Sequence, residues 1–190
     1  NTFLVADGGP GGAGGNATLW RTTNAGVNWT NVLSTGGTAG FFNGIMKGSL
    51  SPNFVVAQSD APSGTMITYV STNGGANWTA QNETGIGFTV GSLPAVYCID
   101  NQFYGHGSSG VTPVRTAFTT NGGTTWGVTN LSGITGNFLS GLAFNDNKQN
   151  GIAVSSGSFP TLVRTSTGPA GPWSTVSAGT GTSTLNVLRW

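Results

Sequence analysis

Four tryptophans, Trp29, Trp78, Trp126 and Trp173, fall 49, 48 and 47 residues apart, and each closes the same short pattern. The segments Thr22 to Trp29, Ser71 to Trp78 and Thr119 to Trp126 all read Ser/Thr-x-Asn-x-Gly-x-x-Trp, with Asn24, Asn73 and Asn121 third and Gly26, Gly75 and Gly123 fifth. The fourth copy, Thr165 to Trp173, is one residue longer and carries Thr167 in place of Asn. A period of this length restricts the chain to architectures in which one supersecondary unit recurs and buries its apolar faces against its neighbours.

The flanks name the unit. A strand-like run precedes each motif (Thr18 to Arg21, Met66 to Val70, Val114 to Phe118, Thr161 to Arg164), and a shorter one follows, as at Trp29 to Leu33 and Trp173 to Ser177. Each motif therefore joins two strands of a hairpin. Two further β-type runs fill each period: Phe41 to Ser49 with Asn53 to Gln58, Ala95 to Asp100 with Gln102 to Gly105, and Phe138 to Phe144 with Gly151 to Ser155. Four strands recurring every 40 to 50 residues predict an all-β fold, a β-propeller of four-stranded antiparallel blades. The expected blades are residues 1–33 with 185–190, 41–82, 91–131 and 137–177, in a single propeller domain or segment.

The motif has a physical reading. Glycine supplies the positive φ of a tight turn, the Asn side chain bonds the turn backbone, and the Ser or Thr hydroxyl two positions earlier does so more weakly. The Trp buries its ring against the neighbouring sheet while its indole N–H finds a carbonyl. The site residues expected to build the four turns are thus Thr22, Asn24, Gly26, Trp29, Ser71, Asn73, Gly75, Trp78, Thr119, Asn121, Gly123, Trp126, Thr165, Thr167 and Trp173.

This pattern resembles the Asp-box (BNR) repeat of sialidases, family 74 xyloglucanases and photosystem II assembly-factor-like propellers of secreted bacterial proteins. All four copies lack the Asp itself. The resemblance covers essentially the whole chain, implies the propeller fold, and places the box on an outer hairpin away from the axial site.

The termini are complementary. The chain opens on a second-strand run, Thr2 to Ala6, and closes on a first-strand run, Leu185 to Trp190, so the two ends complete one blade. Three arrangements satisfy this: a closed four-bladed ring, a segment of a larger propeller, or a terminal strand that pairs with another molecule. The stretch Gly8 to Gly15 leads into a strand with no Lys after it, which reads as a surface loop rather than a phosphate loop.

Charged residues are only 6% of the chain, against roughly 25% in average soluble proteins, and the net charge is +1. This leaves neither a basic footprint for nucleic acid nor a polybasic membrane patch. No run approaches the length of a membrane span, and the N-terminus lacks the regions of a signal peptide, as expected of a mature or excised piece. Weak charge repulsion permits self-association. Five sequons, at Asn16, Asn28, Asn77, Asn82 and Asn130, are largely what a chain rich in Asn, Ser and Thr produces by composition.

Candidate chemistry is sparse. A sialidase-like mechanism needs an arginine cluster, a tyrosine activated by a glutamate, and an acid. The chain offers Glu83, the aspartates Asp7, Asp60, Asp100 and Asp146, and the arginines Arg21, Arg115, Arg164 and Arg189. Arg21 and Arg164 recur at equivalent third-strand positions, which points to a structural role. The aspartates end strands at turns. His106, the one histidine, falls in a Gly-Ser loop without metal-ligand partners, and Cys98 lies in a buried strand. The expectation is a non-catalytic extracellular or cell-surface propeller with no metal or cofactor, interacting with protein or with itself. The alternative is a carbohydrate-binding or sialidase-like propeller fragment.

Overall fold

The computed structural model describes residues 1–7, 16–36, 41–60, 66–83, 85–88, 91–108, 112–134, 139–155 and 161–176. Among these there is no helix, and fifteen strands fall into four antiparallel sheets. Blade 1 comprises β1 (Phe3–Asp7), β2 (Thr18–Thr22) and β3 (Thr30–Ser34). Blade 2 comprises β4 (Phe41–Lys47), β5 (Val55–Asp60), β6 (Ile67–Ser71) and β7 (Thr79–Ala80). Blade 3 comprises β8 (Gly91–Cys98), β9 (Tyr104–Ser108), β10 (Arg115–Thr119) and β11 (Gly127–Asn130), and blade 4 comprises β12 (Leu139–Phe144), β13 (Gly151–Ser155), β14 (Leu162–Thr165) and β15 (Ser174–Val176). Every pairing is between strands consecutive in sequence. The fold is that of a β-propeller, as the repeat predicts.

One expectation lies outside the described residues and another is overturned. Blade 1 contains three strands among the described residues, because the run Leu185 to Trp190 expected to complete it lies outside them, as do Gly8 to Gly15 and Arg189. His106 is not in a loop. Its Gly-Ser surroundings belong to β9, where it pairs with Val96 on one side and Ala117 on the other; the glycines are there because large neighbours press on them. A Cβ at Gly105 would lie 2.3 Å from the Ala117 carbonyl oxygen and 2.7 Å from the Tyr97 hydroxyl, and one at Gly107 would lie 2.4 Å from Leu139.

Register makes the blades comparable position by position. Phe3, Val55, Tyr104 and Gly151 each face the first residue of a repeat motif across the sheet. Two residues on, Val5, Ala57, His106 and Ala153 are equivalent, and they pair with Trp20, Tyr69, Ala117 and Val163. In blades 2 to 4 these positions pack on the preceding blade. We call this surface the trailing face. The intervening positions, among them Leu4 with Arg21 and Ile152 with Arg164, form the leading face, turned toward the following blade.

Apolar side chains fill the layers between blades. Leu19 and Ala17 of blade 1 meet Phe42, Ala57 and Tyr69 of blade 2. Val56 and Val70 of blade 2 meet Val96, Cys98 and Tyr104 of blade 3. Between blades 3 and 4 the rings of Tyr97, Phe103, Phe144 and Trp173 form a chain with centroids 4.8 to 5.8 Å apart, and Leu139, Leu142 and Val163 seal it. Offset and edge-on aromatic pairs of this kind add about 0.5–1.5 kcal/mol each beyond their buried area.

Candidate functional site

Three of the four repeat turns share one hydrogen-bond circuit. In blade 2 the Ser71 hydroxyl accepts the Gly75 N–H at 2.8 Å and donates to Asn73 Oδ1 at 2.9 Å, while Asn73 Oδ1 accepts the Asn77 N–H at 2.9 Å. Thr22 and Asn24 do the same with the N–H groups of Gly26 and Asn28, and Thr119 and Asn121 with those of Gly123 and Thr125. The hydroxyl is therefore a hub of the turn, holding both the glycine and the Asn, beside the Asn oxygen, which in blade 2 also accepts the Ala76 N–H at 3.1 Å. Gly26, Gly75 and Gly123 all have positive φ. In blade 4, Thr167 accepts no such bond; its hydroxyl donates to the Gly171 carbonyl at 2.7 Å.

The tryptophans divide. Trp78 and Trp173 donate to the carbonyls of Gly75 and Pro169 at 3.1 and 3.3 Å. Trp126 does not, for its buried Nε1 meets no acceptor among the described residues. Its ring is instead held by edge-on and tilted contacts with Tyr104 and His106 at 5.7 and 5.9 Å. Trp78, Trp126 and Trp173 all pack against the preceding blade. Trp29, in the first of the described blades, is 40% exposed.

Several of the charged residues hold structural contacts. His106 Nε2 and Glu83 Oε2 share a hydrogen bond of 3.0 Å, with both side chains fully buried between blades 2 and 3. Sequence reading misses this pair, although aligning the blades would have placed His106 on the trailing face, at the position of Val5, Ala57 and Ala153. Arg21 Nε donates to the Gly74 carbonyl at 2.9 Å, tying blade 1 to the turn of blade 2. Arg115 lies over the Phe88 ring, 4.8 Å from its centroid. Arg164, at the position of Arg21, is exposed.

The inner strands β4, β8 and β12 run side by side along the axis and line a cleft of about 210 Å³. Its floor is apolar, with Met46, Tyr97, Cys98, Leu142 and Phe144, and Lys47 and Ser49 stand at its rim. The rim turns are cross-linked: Ser49 donates to Asp146, and Lys148 pairs with Asp100. Asp100 also accepts the Gln102 and Phe103 N–H groups, both at 2.9 Å, which is the turn role its position implies. Burial pushes the Asp100 carboxyl up, but the hydrogen bond from Lys148 and the two backbone N–H groups outweigh it and hold the group below the usual carboxylate range. Burial, helped by the charge of Asp100, pushes the Cys98 thiol up to about 12. Among the described residues no three His, Cys, Asp or Glu side chains converge as metal ligands would.

Comparison with known proteins agrees with this architecture. No protein-family model matches the chain, and no curated protein is similar in sequence. Among solved structures, a chain of the nidogen/laminin complex is similar over 95% of this chain and 63% of its own length, with 12% identity and a TM-score of 0.63. The GH74 xyloglucanase from Xanthomonas campestris is similar over 93% of this chain and 28% of its own, with 14% identity and a TM-score of 0.57. YCF48 bound to a D1 peptide follows with 84% and 52%, 16% identity and a TM-score of 0.52. The chain thus spans less than two thirds of each of these structures, and at such identities the likeness is one of fold: this protein is a β-propeller.

Proposed function

We propose that this chain is a non-catalytic propeller module that acts outside the cell or at its surface by binding protein, including copies of itself. The observation that carries the reading is the apolar face of blade 1. Phe3, Val5, Trp20 and Trp29 are 54%, 49%, 36% and 40% exposed there, whereas the equivalent residues of the other blades are buried or partly buried in the core. Grouped large apolar side chains left open to water mark interaction surfaces. The sparse charge supports the reading, since little repulsion opposes association. So do the ionisable groups, because Glu83, Asp100, Asp146, Arg21 and Arg115 each hold a structural contact. Two of the similar structures are of complexes, one of nidogen with laminin and one of YCF48 with a D1 peptide. The extracellular assignment rests on composition, in which Ser, Thr and Asn replace charge.

A carbohydrate-directed reading draws on the axial cleft, with Lys47 and Ser49 at its mouth and Asp146 beside Ser49, and on the similarity to a xyloglucanase. The two readings separate in assays of sialyl and β-glucan hydrolysis and on a glycan array. The proposal expects neither turnover nor binding. Hydrolysis that disappears in Asp146→Asn would overturn it.

A further inference from the structure

Register places two cations at one junction between blades where the other junctions hold apolar side chains. Arg21 of β2 is equivalent to Val70 of blade 2 and Phe118 of blade 3, all on leading faces. Lys47, the last residue of β4, pairs with Val55; its equivalents are Cys98, which pairs with Tyr104, and Phe144, which pairs with Gly151. Between blades 2 and 3, Val70 and Cys98 belong to one buried apolar cluster, and between blades 3 and 4, Phe118 packs against the cluster that holds Phe144. Between blades 1 and 2 the same two positions bring Arg21 and Lys47 to the wall of one groove.

The groove encloses about 650 Å³ beside the repeat turn of blade 2, and Thr2, Asn53 and Asn73 add polar side chains to its lining. Arg21 is half-buried, and its Nε is fixed on the Gly74 carbonyl, which leaves its two Nη groups as donors. Lys47 is exposed at the mouth. Asn73 Oδ1 already accepts from Ser71, Ala76 and Asn77, so the amide nitrogen is the end of that side chain left to donate. Among the described residues no carboxylate forms an ion pair with either cation. Glu83 pairs with His106, Asp100 pairs with Lys148, and Asp146 accepts from Ser49. Asp7 and Asp60 stand at the far ends of β1 and β5, opposite Thr18 and Phe41. Two like charges thus share a concave, donor-rich space with no opposite charge from the chain, and an anion between them would be stabilised by both.

We propose that this groove is an oxyanion site, in which the Nη groups of Arg21 and the ammonium of Lys47 bind a carboxylate, sulfate or phosphate group and the Asn73 amide donates to it. A guanidinium offers paired N–H donors that match two oxygens of such a group, and the lysine adds a compact charge from the other blade. The site lies against a repeat turn, and Lys47 separates it from the apolar floor of the axial cleft.

Amide chemical shifts of the 190-residue chain, followed while sodium phosphate, sodium sulfate or the peptide Gly-Glu-Gly replaces sodium chloride at constant ionic strength, test this. Saturable shifts centred on Asn53, Asn73 and Gly74 are expected. Lys47→Gln changes an exposed side chain and should weaken binding roughly tenfold, the loss of one charge-assisted contact. Lys47→Arg should restore most of it. Arg164→Gln removes the equivalent cation of blade 4, outside the groove, and should bind as the parent does. Saturation by the inorganic ions alone assigns the site to a free ion, and tighter saturation by the peptide assigns it to an acidic side chain of a partner; both uphold an oxyanion site. Shifts that spread over the chain without saturating, or equal affinity in Lys47→Gln and the parent, overturn it. A groove that binds no anion leaves the apolar face of blade 1 untouched as an interaction surface, so the two readings fail separately.

Discussion

Replacing Ser71 by Ala tests whether the hydroxyl is a hub of the repeat turn. The change deletes the acceptor of the buried Gly75 N–H at 2.8 Å and the donor that orients Asn73. An orphaned buried N–H costs about 1–3 kcal/mol, and loss of the neutral hydroxyl–amide bond adds about 0.5–1.5 kcal/mol, so a destabilisation of roughly 2–4 kcal/mol is expected. At about 2–4 °C per kcal/mol for a chain of this size, the melting temperature should fall by roughly 4–16 °C. Ser71→Thr restores the hydroxyl and should recover most of the loss. Thr22→Ala supplies the internal scale: it breaks the same circuit at Gly26, where the turn is more open to water and the orphaned N–H can be solvated, so it should cost less than half as much. Urea denaturation followed by tryptophan fluorescence measures all three. A Ser71→Ala variant within about 0.5 kcal/mol of the parent, the range of ordinary surface changes, would refute the hub reading, as would a larger loss in Thr22→Ala.

Gly75→Ala should destabilise by about 1–2 kcal/mol from its positive φ and by a further ~1–3 kcal/mol from overpacking against Leu4, whereas Gly26→Ala carries only the backbone cost; equal losses in denaturation would contradict the packing argument. Cys98, buried and with its thiol near 12, should resist a thiol reagent at pH 8 in the native protein and react at once in denaturant, so rapid native labelling would place it elsewhere. Asp100 has a carboxyl held below its unfolded value, so its contribution to stability is complete above the ordinary carboxylate range and is lost as pH falls through the depressed value. Asp100→Asn should flatten that acidic limb of the melting temperature against pH, and an unchanged limb would deny the group this role. His106→Ala should be strongly destabilising, because it leaves Glu83 buried without its partner, and Glu83→Ala together with His106→Ala should recover part of the loss in a double-mutant cycle.

The strands were legible because the hairpin motif anchors them. Once Ser71, Asn73, Gly75 and Trp78 are recognised as one turn, β6 and β7 must flank it, and the period transfers that result to β10 with β11 and β14 with β15. Spacing alone could not rank the atoms within the turn. The hydroxyl of Ser71 reaches two groups at once only in the three-dimensional turn, so a rule about side-chain preferences assigned the larger part to Asn73. The indole donors were likewise treated alike, yet Trp126 has Tyr104 and His106 against its ring where a carbonyl was expected, because blade 3 fills that layer with larger side chains.

Local sequence places His106 in a loop, whereas pairing places it in β9. Glycine on both sides looks like a loop when read locally, but in a propeller a glycine inside a strand is also what makes room for large neighbours, as Gly105 does for Tyr97 of the adjacent strand and Gly107 for Leu139 of the next blade. Local composition and repeat register then give opposite answers, and register is the stronger constraint because it is fixed by hydrogen-bond pairing along the whole sheet. The same register turns four exposed apolar residues of blade 1 from unremarkable surface into a face whose counterparts are elsewhere buried. Departures from the repeat average thus fall into two kinds. Where a position differs in chemistry but not in burial, as with His106 among Ala57 and Ala153, the neighbouring segment has supplied a matching group, here Glu83. Where it matches in chemistry but differs in burial, as with Trp29 among Trp78, Trp126 and Trp173, no blade packs over it among the described residues.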